Sequence, residues 1–225
     1  MKRLLILLIA CLVSQTFAQT PFKKVLFLGN SITKHSPKAD IGWTGNWGMA
    51  ASSEVKDYVH VFTASLTKQQ GATPEILVKN IADFERAHQG YDFAAKVKEA
   101  IDFQADLIVL AIGENVPALK TTEEQAKLQE AVTKLLATLL ATLKGDRKPV
   151  ILVRSCFWAN AAKDEALRGA CEAVGGIYVD LSALSADKSL YGRAEREFKH
   201  AGVANHPGDK GMAAIAAALM KALPQ

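Results

Sequence analysis

Short apolar runs rich in β-branched residues recur along the chain at Lys24 to Leu28, Glu75 to Lys79, Asp106 to Ile112, Pro149 to Arg154 and Gly176 to Asp180. Each is too short for a typical helix and bounded by polar or turn-forming residues, so five buried strands are predicted. Between them lie longer segments of helical period at Ser53 to Gln70, Phe93 to Phe103, Glu123 to Leu143, Ala161 to Val174 and Gly211 to Leu223. In the third of these Leu128, Val132, Leu135, Leu136, Leu139 and Leu143 share one face. Gly175-Gly176 stops the fourth. Strands alternating with helices predict an α/β fold, a three-layer α/β/α arrangement around a parallel sheet. Right-handed crossovers favour the flavodoxin-like order 2-1-3-4-5, in which the carboxyl ends of the first and third strands are neighbours. No repeat or low-complexity linker interrupts the pattern, which predicts one domain.

The N-terminus breaks the pattern. Met1-Lys2-Arg3 is basic, Leu4 to Val13 is apolar and Thr16-Phe17-Ala18 ends in small residues. That order predicts a signal peptide over residues 1–18, leaving 19–225 as the mature domain, periplasmic or extracellular. The apolar stretch falls short of the ~20 residues that span a bilayer, so no integral membrane segment is expected in the mature protein. Leu8-Ile9-Ala10-Cys11 resembles a lipobox, but Cys11 sits early and is followed by apolar Leu12-Val13. Lipid anchoring at Cys11 is the lesser alternative.

The chain has 225 residues, 49% of them hydrophobic, enough for one full core. Loss of the leader removes Lys2 and Arg3 and leaves 25 bases against 23 acids, a balance that makes no electrostatic case for nucleic acid. Cys156 and Cys171 remain; one ends a predicted strand and the other lies in a predicted helix, so two buried thiols are expected in preference to a disulfide.

Three short motifs carry candidate chemistry. Gly29-Asn30-Ser31-Ile32-Thr33 follows the first strand directly and offers the Ser31 hydroxyl at the carboxyl edge of the sheet, where open α/β sheets build their sites. Asn30 and Ser31 could instead cap a helix. Gly113-Glu114-Asn115-Val116 follows the third strand, and Asn205-His206-Pro207 lies in a turn-rich segment ahead of the last helix. Ser, Gly, Asn and His in that order resemble the SGNH (GDSL-type) hydrolases, and the resemblance implies specific roles. Ser31 would be the nucleophile and His206 its general base. The Ser31 N–H and the Asn115 carboxamide would bind the oxyanion. His35, near Ser31 in sequence, is at most a substrate contact.

Two departures from the family pattern stand out. The block after the second strand, Asn80-Ile81-Ala82-Asp83-Phe84-Glu85-Arg86, has no glycine to supply a further oxyanion N–H, which leaves an amide between Ala82 and Glu85 as a possible source. Three residues before His206, where the family carries the triad Asp, stands Val203. Either a backbone carbonyl orients the imidazole in a Ser-His dyad, or a carboxylate comes from elsewhere. Glu85 is the first candidate, then Asp209, with Glu114 behind them; surface pairing and helix-end stabilisation are their plain alternatives.

Trp43 and Trp47 lie among three glycines shortly after the nucleophile, and Trp158 follows the fourth strand. Flat indoles beside a site suggest a sugar platform, against the plainer reading that they pack the loop on the core. No Cys/His cluster has metal-ligand spacing and no phosphate loop is present in the sequence, so neither metal nor cofactor is expected. The resemblance, the leader and the tryptophans together imply a secreted esterase acting on acylated carbohydrate. The alternatives are a lysophospholipase or thioesterase on the same fold, and an inactive carbohydrate-binding protein.

Overall fold

The computed structural model describes residues 21–144 and 148–224. The expected leader and Cys11 lie outside them. Five strands, β1 (Lys24–Gly29), β2 (Glu75–Asn80), β3 (Leu107–Ala111), β4 (Val150–Arg154) and β5 (Ile177–Val179), form one parallel sheet in the order β2-β1-β3-β4-β5. Gly29, the last residue of β1, pairs with Asn80 on one side and Ala111 on the other. The loops after β1, β2 and β3 therefore leave the sheet side by side.

The helices are α1 (Tyr58–Gln70), α2 (Ala82–Arg86), α3 (Phe93–Lys96), α4 (Lys98–Phe103), α5 (Thr122–Ala141), α6 (Ala161–Ala173), α7 (Ser182–Ala186), α8 (Ala201–Ala204) and α9 (Asp209–Ala222). The two-residue period of a strand divides β1 between two cores. Leu26 and Leu28 face α5 and α6 through Leu128, Val132, Leu135, Leu136 and Leu167. Val25 and Phe27 face α1 and α9 through Tyr58, Phe62, Met212 and Ile215. Each such side chain, fully buried, contributes roughly 1.5–3 kcal/mol, which is why both faces of the sheet must be covered. Among the described residues, no helix is long and apolar enough to cross a membrane. Cys156 and Cys171 are buried free thiols.

Two predicted helices start or break differently from the periodicity, and a short third one leaves no period at all. The segment from Ser53 becomes helical only at Tyr58, because Asp57 caps α1: its Oδ1 accepts from His60 N at 2.8 Å while Oδ2 accepts from Gly48 N at 3.1 Å. Phe93 to Phe103 is two short helices, broken at Val97, whose backbone leaves the helical region while its side chain enters the core. The one-turn helix α2 has too few residues to show a period, yet it is what turns Glu85 inward.

Candidate active site

The serine turn is built by Asn30. Its Oδ1 accepts from Ile32 N at 3.1 Å and its carbonyl from Thr33 N and Lys34 N, each at 2.9 Å, so the chain reverses immediately after β1. Gly29 is required for contact and not for a positive φ: a Cβ there would collide with the Thr33 side chain and stand 2.9 Å from the Ala111 carbonyl. The turn leaves Ser31 half-buried at the sheet edge, its carbonyl held by Met49 N at 2.8 Å.

Ser31 Oγ lies 2.8 Å from His206 Nε2, across 175 residues of sequence. The other ring nitrogen, Nδ1, lies 2.7 Å from the Gly202 carbonyl oxygen. A carbonyl can only accept, so Nδ1 carries the hydrogen and Nε2 presents its lone pair to the serine hydroxyl. The backbone fixes the ring's position as well: His206 N donates to Val203 O at 3.0 Å and His206 O accepts from Gly192 N at 2.7 Å. Trp158 stands edge-on to the imidazole, with ring centroids 5.3 Å apart and planes at 88°.

Burial pushes the His206 pKa down to about 4, helped by the nearby His35 and opposed by the Gly202 hydrogen bond and the Glu114 charge. The imidazole is therefore neutral, and able to accept a proton, through the whole neutral range. A general base must be unprotonated, so an activity resting on His206 is lost as pH falls through about 4, not near the 6.5 of a free histidine. In a pH profile of kcat/KM we expect the acid limb well below about pH 6; a limb at about 6 to 7 would place the essential base elsewhere.

None of the three carboxylates considered from sequence bonds to His206. Glu85 is fully buried, and its Oε1 accepts from Asn30 Nδ2 (3.1 Å), Gly113 N (2.6 Å) and Asn115 N (3.1 Å), while Oε2 accepts from Asn115 Nδ2 (2.7 Å). Its expected role as triad acid is therefore corrected: the one-turn α2 aims it at Asn115, and the histidine is served by a carbonyl. Asp209 instead receives Ser52 N and Oγ at 2.7 and 2.6 Å. Glu114 receives Arg154 Nη1 and Phe157 N at 2.7 Å and Asn30 Nδ2 at 2.6 Å. Val203 stands in the acid's place because its side chain is buried against Trp43, Met49 and Ala50.

Asn115 lies on the turn after β3. Gly113 adopts φ 122°, and a Cβ there would collide with the Cys156 sulfur, so only glycine fits. One hydrogen of the Asn115 carboxamide goes to Glu85, which leaves the second for an oxyanion. The amides of Ala82, Phe84 and Glu85 do not supply a further donor. They bond to Asn80 Oδ1 and the Ile81 carbonyl.

The tryptophans divide. Trp43 is buried, its Nε1 donating to the His35 carbonyl at 3.0 Å, and it packs in the small core with Val203; this corrects its expected role in a sugar platform. Trp47 is partly buried, edge-on to Trp43, with Nε1 on the Ala51 carbonyl at 3.1 Å. Together they strap the loop across the serine turn, where His35 N meets Trp47 O at 2.9 Å. Trp158 is the indole that touches His206. Arg154 and Lys163, both buried and both at the site, were not singled out from sequence, since nothing in a strand end or a helix marks a cation as inward-facing. Among the described residues no group of three or more His, Cys, Asp or Glu side chains could hold a metal ion.

A two-domain esterase active on acetylated mannans superposes with a TM-score of 0.57 at 16% identity, covering 88% of this chain and 48% of that one. A protein described as a GDSL-like lipase from Parabacteroides merdae matches at 0.56 and 17% identity over 91% and 97% of the two chains. The fold is that of the GDSL-type (SGNH) hydrolases. A family two carbohydrate esterase from Cellvibrio japonicus, at 0.51 and 18% identity over 89% and 60%, has it too. The chain thus spans about half the length of the mannan-active esterase. No protein-family model and no curated protein matches the sequence. On this GDSL-type fold, Ser31, Asn115 and His206 all stand on loops at the carboxyl edge of the sheet.

Proposed function

We propose that this chain is a serine ester hydrolase that removes acyl groups, most simply acetyl, from carbohydrate through an acyl-enzyme on Ser31. The observation that carries the reading is the 2.8 Å contact between Ser31 Oγ and an imidazole whose tautomer is set by a carbonyl. Ser31 Oγ attacks the ester carbonyl carbon as its proton passes to His206 Nε2. The carbonyl oxygen becomes an oxyanion held by Ser31 N–H and Asn115 Nδ2. As the carbon–oxygen bond to the sugar breaks, the sugar oxygen takes the proton from Nε2. Water then attacks the acyl-enzyme, giving its proton to Nε2, and the released Ser31 oxygen recovers it. The imidazolium that forms transiently is favoured by the Glu114 charge, and Gly202 O keeps its hydrogen bond throughout.

A sugar leaving group is supported by Trp158, which offers a partly exposed indole beside the base, and by the acetylated-mannan and carbohydrate esterases that share the fold. Export fits the basic and apolar start of the sequence. Acetate release from an acetylated oligosaccharide, compared with p-nitrophenyl acetate and long-chain esters, tests this reading. Trp158→Ala is expected to lower kcat/KM on the oligosaccharide about tenfold more than on p-nitrophenyl acetate. A preference for long acyl chains, or equal loss on both acetyl substrates, would point away from carbohydrate.

A further inference from the structure

Beneath the site lies a group of buried charges, of which the catalytic steps above use only the field of Glu114. Glu85 and Glu114 are bridged by the two hydrogens of the Asn30 carboxamide, which donates to one at 3.1 Å and to the other at 2.6 Å. Arg154, wholly buried, pairs with Glu114 at 2.7 Å. Burial works against ionisation of Glu114, but the Arg154 guanidinium and the Phe157 and Asn30 hydrogen bonds outweigh it and hold the carboxyl below its usual range. Burial and the Glu114 charge push Glu85 the other way, opposed by its bonds from Asn115 and Gly113.

Every partner of Glu85 delivers a hydrogen to it, and what distinguishes it is that three of the four bonds come from the turn that carries Asn115. At the other end of the Asn115 carboxamide Oδ1 accepts from Arg86 Nη2 at 3.4 Å, which identifies that end as the oxygen. Nδ2 therefore points at Glu85 Oε2, and no hydrogen is needed on that carboxylate. The same turn is gripped from its opposite polarity by Lys163, buried on α6, whose Nζ donates to the carbonyls of Gly113 at 3.2 Å and Val116 at 2.5 Å. Anion on the N–H groups and cation on the C=O groups leave the turn little freedom.

We infer that Glu85 is a positioning residue of the oxyanion hole: by holding the Asn115 carboxamide and the Gly113 and Asn115 amides, it pre-aims the donor that stabilises the tetrahedral intermediate. The inference rests on the esterase reading. Preorganised donors stabilise a developing charge because they need not reorient when it forms, and removing one typically costs ~10²–10³ in rate. A donor left in place but free to swing loses part of that.

Glu85→Gln tests this selectively. The new amide oxygen still accepts at the Oε1 position, while an NH₂ replaces Oε2 and faces Asn115 Nδ2 donor to donor. We expect kcat on p-nitrophenyl acetate to fall ~10–10²-fold with KM changed by less than about threefold. In an Asn115→Ala background the same change should cost less than about threefold, since the group through which it acts is gone. A kcat for Glu85→Gln within about threefold of wild type, or an equal loss in both backgrounds, overturns the inference. For the wild-type enzyme, NMR should find one Asn115 side-chain amide proton shifted downfield and protected from exchange; an ordinary exposed pair overturns it even if the variant fails to fold. Ser31→Ala is assayed alongside. Turnover that does not depend on Ser31 would overturn the esterase reading, while the amide resonance still reports on Glu85.

Discussion

Ser31→Ala is expected to lower kcat for ester hydrolysis by ~10⁴–10⁶ while leaving thermal stability near wild type, the scale at which loss of a nucleophile acting as part of a unit is felt. Ser31 is half-buried, outside both cores, and its hydroxyl's side-chain partner is His206, so its removal opens no void in either core. The turn around it is held by the side chain and carbonyl of Asn30 and by Met49 N on the Ser31 carbonyl, none of which the substitution touches. Loss of activity thus reports chemistry and not unfolding. A serine-directed phosphonate should form its adduct on Ser31, located by mass spectrometry of the digested protein. Labelling at another serine, or activity retained in the variant, would remove Ser31 from the mechanism.

His206→Ala is expected to cost a similar factor, and the double variant with Ser31→Ala should be no slower than either single one. Removing the base leaves a serine hydroxyl that does not ionise at neutral pH; removing the serine leaves a base with nothing to activate. Additive losses would mean that the two do not act together. Among the described residues no carboxylate bonds to His206, and this does not forecast a weak base. When the triad Asp becomes Asn, much of the ~10⁴ loss follows from an imidazole held in the wrong tautomer. The Gly202 carbonyl, like a carboxylate, can only accept, so it selects the same tautomer. What it lacks is a full negative charge for the imidazolium, and Glu114 supplies a field of that sign without touching the ring.

The strands and their order were legible along the chain because each strand is a short apolar run bounded by turn residues, and parallel crossovers admit few topologies. Ser31 and Asn115 could be placed for a similar reason, since each follows a predicted strand, and His206 lies in a turn-rich segment ahead of the last helix; their roles came from the resemblance to the GDSL-type hydrolases. Glu85 could be named but not assigned. Its position after β2 put it at the right edge, yet its partner depended on a single helical turn, Ala82–Arg86, too short to leave a period. Trp43 and Trp158 are indistinguishable as residues, and burial alone separates the one beneath the loop from the one beside the base.

The amino-acid sequence by itself therefore determined the sheet, its order and the edge on which the serine, asparagine and histidine stand, since periodicity and turn chemistry act between residues close along the chain. Only the tertiary structure decided what each of these residues touches. Hydrogen bonds such as Gly202 O on His206 Nδ1, Glu85 on Asn115 and Lys163 on the same turn depend on directions and distances of a few ångström, set by how α2, α6 and α8 pack and not by any local pattern.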